Sequence, residues 1–137
     1  MNCLAVIDTI VLVSALLSKQ ADAATVQVVK AALSGEVVPI YNDGIMQEYE
    51  EVLLRPRFGL SDHAVARLLN ALRQVGREAC PVHADESLKD EDDRMFYESA
   101  LSLQTQNAFL VTGNLKHCPP REFVVSPRQL LERLARA

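Results

Sequence analysis

Four polar residues stand where this chain should be most apolar. Asp8 ends the run Leu4-Ala5-Val6-Ile7, and Asn114 follows soon after Phe109-Leu110-Val111. Glu48 and Asp93 each fall on a stripe of otherwise apolar residues at helical spacing. Burying a carboxylate without a partner costs several kcal/mol, so a chain that does this repeatedly implies a cation that neutralises the group. Carboxylate and amide oxygens suit magnesium or manganese, whereas zinc prefers histidine and thiolate. Two such ions about 3.5–4 Å apart stabilise the attacking and leaving oxygens of an in-line phosphodiester displacement.

The helical stripes make the spacing explicit. Ile45, Glu48, Tyr49, Val52 and Leu53 follow the i, i+3, i+4, i+7, i+8 rule for one face, with Glu48 the only charge on it. Asp93, Phe96, Tyr97, Ala100 and Leu101 repeat the pattern, and Asp90 lies one turn earlier. Each acid also has a local role open to it. Asp8 and Asp90 are candidate helix caps, Asp93 in a first turn complements the helix dipole, and Glu48 could bridge to an arginine.

The elements that must carry these residues alternate between strand and helix. Residues 3–7 predict a short buried strand, followed by helices over 11–17 and 23–33 and a second strand over 37–40. Asn42-Asp43-Gly44 carries turn and N-cap chemistry before a helix over 45–54, which must stop ahead of Pro56. Ser61 caps a helix with the stripe Val65, Leu68, Leu69 and Leu72. A weak third strand over 79–82, a helix over 91–105, strands over 108–111 and 123–125, and an amphipathic helix over 128–136 complete the chain. Short continuous apolar strands between helices indicate a parallel sheet covered on both faces. In such sheets ligands gather outside the carboxyl ends of the strands, where Asp8 and Asn114 fall.

With 137 residues, 49% of them apolar, the chain suffices for one domain with a packed core. No run of about 18 apolar residues is present to span a membrane. The N-terminal segment lacks the basic flank of a signal peptide, and Asp8 interrupts its apolar run. Three widely spaced cysteines without a CxxC pair argue for a reducing, cytoplasmic setting and against a zinc cluster or disulfide framework. A formal charge of −4 is unlike that of a protein that coats nucleic acid, but it suits an enzyme whose acids are neutralised by metal. No Gly-rich phosphate loop, GxSxG or HExxH motif occurs, which removes the corresponding NTPase, serine hydrolase and zincin readings.

The segments VIDTIVLVSALLS, MQEYEEVLLRPRFGL, KDEDDRMFYESA and FLVTGNLKHCP, in that order and spacing, resemble the PIN-domain ribonucleases, above all the branch of toxin components of toxin–antitoxin pairs. The resemblance implies a three-layer α/β/α fold with a five-stranded parallel sheet over one domain, residues 1–137. It implies Asp8, Glu48 and Asp93 as catalytic, metal-binding acids, with Asp90 accessory, Asn114 at the fourth ligand position and Thr112 beside it. It further implies Mg²⁺- or Mn²⁺-dependent cleavage of RNA, a homodimer, and an antitoxin that blocks the site.

Two positions depart from the family pattern. Ile10 replaces a usual asparagine, and Asn114 is a neutral ligand where many members carry an acid, so a second metal should be held weakly. Arg55, Arg57, Lys116 and His117 are candidate contacts for RNA phosphates, while His63 and His83, without an acidic partner nearby in sequence, are expected at the surface. Two rival readings are a PIN fold kept as a binding module and a haloacid-dehalogenase-like phosphatase. The latter wants an aspartate two residues after the nucleophile, where Ile10 stands.

Overall fold

A computed structural model describes residues 3–136; positions 1, 2 and 137 of the expected domain lie outside the described residues. Five strands form one parallel sheet: β1 (Cys3–Ile7), β2 (Val37–Tyr41), β3 (Arg77–Glu78), β4 (Phe109–Val111) and β5 (Val124–Val125), in the order β3-β2-β1-β4-β5. Among the described residues six α-helices accompany it: α1 (Thr9–Leu17), α2 (Ala24–Ser34), α3 (Asp43–Leu53), α4 (Asp62–Val75), α5 (Arg94–Leu101) and α6 (Pro127–Arg136). Leu4, Ala5, Val6 and Ile7 are all buried, although successive strand residues point to opposite faces. Both faces of the central strand are therefore covered, giving the expected α/β sandwich. Helix α5 packs on β1, β2 and β4, and α2 packs on β2 and against α6.

Sequence chemistry sets the helix ends. The Asn42 side chain accepts from the Ile45 amide (3.0 Å) to start α3, and Ser61 does the same for Ala64 (3.1 Å) at α4. Gly35, with φ +89°, ends α2 in the left-handed conformation. Ile45, Tyr49 and Leu53 of α3, like Phe96, Tyr97 and Ala100 of α5, are buried as their stripes require.

Two expected elements differ. The third strand lies at Arg77–Glu78 rather than at 79–82. Its two residues are exposed and charged, so this sheet-edge strand carries no apolar signal. It starts immediately after Gly76, where an added Cβ would stand 2.5 Å from the Pro39 carbonyl oxygen and 2.6 Å from that of Leu72. Only glycine lets the end of α4 pass this close to β2. The apolar residues trail off the edge: the Ala79 amide still bonds to Tyr41 (2.9 Å), but Val82 bonds to the Glu98 carbonyl of α5 (3.3 Å).

The helix expected over 91–105 is shorter and divided. A 3₁₀ turn at Glu91–Asp93 leads into α5, which ends at Leu101, and a second 3₁₀ turn follows at Gln104–Gln106. Gln104 explains the stop, since its side-chain amide donates to both Ala100 (2.9 Å) and Ala108 (2.8 Å) and folds the chain back toward β4. Among the described residues no helix is long and apolar enough to cross a membrane.

Candidate metal centre

The sheet order reverses direction at the β1–β4 pair, which makes the carboxyl ends of these strands the topological switch point. Asp8 leaves β1 there, its amide bonded to Val111 of β4 (2.9 Å), and the Thr112 amide bonds in turn to Val125 of β5 (3.0 Å). The Asp8 side chain makes no capping hydrogen bond to α1. Its carboxylate instead accepts a 2.8 Å bond from the buried Thr112 hydroxyl, whose oxygen also accepts from the Asn114 amide (3.0 Å). Burial pushes the Asp8 carboxyl above its usual range. Thr112 and the amides of Thr9 and Ile10 draw it back, and the charge of Asp90 raises it again.

Helix α3 delivers Glu48. The Tyr49 hydroxyl donates to the Ile7 carbonyl, fixing α3 to the end of β1, and the Asn42 amide nitrogen donates to Ala79 and to buried Ser99 of α5 (both 3.0 Å). Glu48 thus stands within 3.5 Å of the Thr9 hydroxyl, beside Asp8 in the chain. Its carboxyl is raised by burial and by the charges of Glu51, Asp92 and Asp8, against a lowering influence of Arg55.

Asp93 sits where the 3₁₀ turn becomes α5 and makes no capping hydrogen bond. Its carboxyl is pushed up to about 7, first by burial and then by Asp8, Asp90, Asp92 and Glu48. The turn is held from within and from behind. Asp90 accepts from the Asp92 amide (3.0 Å), and Arg94 donates to the carbonyls of Ala84 (2.7 Å) and Glu86 (2.8 Å) while paired with Glu91 (2.5 Å). Against Asp93 lies His117, at the end of a 3₁₀ turn (Leu115–His117), with Nδ1 3.9 Å from Asp93 Oδ2. One ligand atom each from Asp90, Asp93 and His117 lie within 4.8 Å of one another. Asp8, Glu48 and Asp93 form no trio that tight; they share an electrostatic field, Asp8 raising the proton affinity of Glu48 and both raising that of Asp93.

The remaining expected residues divide by position. Arg55 is near enough to act on Glu48 and pairs with Glu51 (3.8 Å). Arg57 lies over the Phe58 ring, 4.8 Å from its centroid, so its charge is engaged there. Lys116 and Asn114 are exposed on the β4 side. Cys118, raised to about 11 by burial and by the charges of Asp93 and Asp8, is a neutral thiol near the acids. His63 and His83 are exposed as expected, but His83 does have an acidic partner, Asp85 two residues on, at 2.9 Å. Sequence reasoning grouped His117 with the phosphate contacts and overlooked Asp92. The available signal was the placement of His117 in the same short segment as Thr112 and Asn114.

The donor set fits a hard divalent cation: partly buried carboxylates whose proton affinities are raised first by burial and then by like charge are stabilised by a cation among them. A separate groove of about 880 Å³ lies at the opposite end of the sheet, lined by Cys3, Val38 and Phe109 with Arg77 and Arg133, well removed from these acids.

A parallel sheet in this order, with acids gathered at its switch point, defines an α/β fold whose candidate site lies at the strand ends. The family model of the PIN domain matches residues 5–116, and the chain belongs to the PIN-domain family. PIN domains are generally nucleases and typically use divalent metals. No curated protein and no solved structure matches the chain.

Proposed function

We propose that this protein is a divalent-metal-dependent endoribonuclease, the toxin of a toxin–antitoxin pair. The observation that carries the reading is the gathering of partly buried acids at the β1–β4 strand ends, where burial first and neighbouring like charge second raise Asp93 to about 7. Mg²⁺ or Mn²⁺, when bound, supplies Lewis-acid stabilisation of the charge that develops on the phosphodiester oxygens. Asp8, Glu48 and Asp93 hold the cation, with Asp90 and Asn114 as further oxygen donors. Thr112 orients Asp8 through its hydroxyl, so the carboxylate is aimed before substrate arrives. Arg55 and Lys116 attract RNA phosphates, with Arg57 a more distant contribution.

The chain would act in the cytoplasm as a homodimer, restrained by an antitoxin that covers the acids. One observation favours a second reading, a binding module with lost activity: Ile10, beside Asp8, is 45% exposed and offers no polar group to the site. The deciding experiment is cleavage of single-stranded RNA and DNA by purified protein with Mg²⁺, Mn²⁺ or EDTA, beside Asp8→Ala. RNA cleavage by the wild type alone, abolished by EDTA, is the expected outcome. RNA binding without cleavage in any metal would leave the binding module in its place.

A further inference from the structure

We infer that His117 is a nitrogen donor to the cation of this site, so that the site selects a first-row transition metal such as Mn²⁺ over Mg²⁺. The inference rests on the metal-site reading above and deepens it by naming the class of ion. The geometry is that of a coordination group. Ligands about 2.1 Å from one ion stand about 3 Å apart when adjacent and about 4.2 Å when opposite. His117 Nδ1 and Asp93 Oδ2 are 3.9 Å apart, and Asp90 brings the span to within 4.8 Å, so small side-chain rotations close the set. Both neighbours are already fixed from behind. Arg94 braces the turn that carries Asp90 and Asp93, and the His117 amide bonds to the Asn114 carbonyl (3.0 Å), closing the backbone turn from which the imidazole projects. Coordination through Nδ1 leaves the ring proton on Nε2, as a neutral ligating histidine requires.

The chemical consequence follows from donor type. Mg²⁺ demands hard oxygen donors and near-ideal octahedral geometry, and it gains little from imidazole. First-row transition ions accept imidazole nitrogen readily, so replacing one oxygen by nitrogen tilts the site toward them.

The test is calorimetric titration of the whole chain with Mn²⁺ and with Mg²⁺, together with pulsed electron paramagnetic resonance of the Mn²⁺-loaded protein to detect coupling to ¹⁴N. Wild type, His117→Gln and Asp93→Asn are compared. The expected result is ¹⁴N coupling in the wild type. The Mn²⁺-to-Mg²⁺ affinity ratio should fall on the order of tenfold or more in His117→Gln, the scale seen when even a supporting partner of a ligand is removed. Asp93→Asn should weaken both ions. Divalent binding that depends on Asp93 but shows no ¹⁴N coupling would overturn the role of His117 and leave the acidic site standing. No binding of either ion by the wild type would overturn both. The coupling is read on the wild type, so the outcome does not depend on how the variants fold.

Discussion

The hydroxyl of Thr112 and the carboxylate of Asp8, 104 positions apart in the chain, are joined by a 2.8 Å hydrogen bond in the buried seam between β4 and β1. The bond ties the Asp8 carboxylate to the end of β4, in addition to the pull of the Thr9 and Ile10 amides at the start of α1. Thr112→Val, nearly isosteric, should therefore raise the Asp8 carboxyl further and strand the Asn114 amide. Loss of a buried hydrogen-bond partner costs about 1–3 kcal/mol. Urea unfolding in EDTA should show a loss of that size, restored in large part by Thr112→Ser, with divalent affinity moving in parallel.

Asp93 makes the stability of the metal-free protein depend on pH. Its carboxyl ordinarily titrates near 3.8 but in the fold holds its proton to about 7. Below the lower value both folded and unfolded chains are protonated, and the contribution of Asp93 is fully present. Between the two the unfolded chain releases a proton that the native state retains, so this contribution is lost as pH rises through about 7. Melting curves in EDTA from pH 4 to 8 should show wild type losing ground to Asp93→Asn as pH rises, with the variant melting no lower than wild type at pH 8. A variant that melts several degrees lower throughout would mean that Asp93 is structural.

Arg94 should tune the site without touching the ion. Its guanidinium ties the carbonyls of Ala84 and Glu86 and the Glu91 carboxylate to the start of α5. Arg94→Met should release residues 84–91, read as faster amide hydrogen exchange confined to that segment and the first turn of α5. Divalent affinity should fall while exchange in β1 and β4 stays unchanged. Uniformly faster exchange across the sheet would instead assign Arg94 to global stability.

Asn114 and Ile10 offer gains rather than losses. An anionic oxygen attracts a divalent ion far better than an amide oxygen, and partial burial of the neighbouring acids strengthens the difference. Asn114→Asp should lower the metal concentration for half-maximal binding. Ile10→Asn, adding a hydrogen-bonding group beside Asp8, should do so by less. Metal titrations with unchanged midpoints in both variants would show that neither position reaches the ion.

The placement of the acids at a strand end and on helical stripes was legible because burial contradicts their chemistry. A carboxylate on the stripe Ile45, Tyr49, Leu53 or at the end of Leu4–Ile7 breaks a period that apolar residues otherwise keep, and the structure buries those neighbours as the period demands. The parallel sheet was legible for the same reason, from strands apolar on both faces. What escaped were features without a period. β3 is two charged residues whose place is set by the absence of a side chain at Gly76. The turn before α5 is shaped by Arg94 reaching carbonyls of an irregular loop. His117 meets Asp93 only because two separate 3₁₀ turns converge across the strand ends, a relationship that helical or strand arithmetic does not contain.

The long reach of the Thr112–Asp8 bond also fixes when the site comes into being. A ribosome adding about 5–20 residues each second needs roughly 5–20 s to travel the 104 positions from Asp8 to Thr112. During that interval the nascent chain carries Asp8 and later Glu48 and Asp93, yet β1 has no β4 beside it and the first acid has no hydroxyl to aim it. A fragment released before Thr112 holds these three acids but not their arrangement, so the charge cluster assembles only once β4 and its hydroxyl have been made.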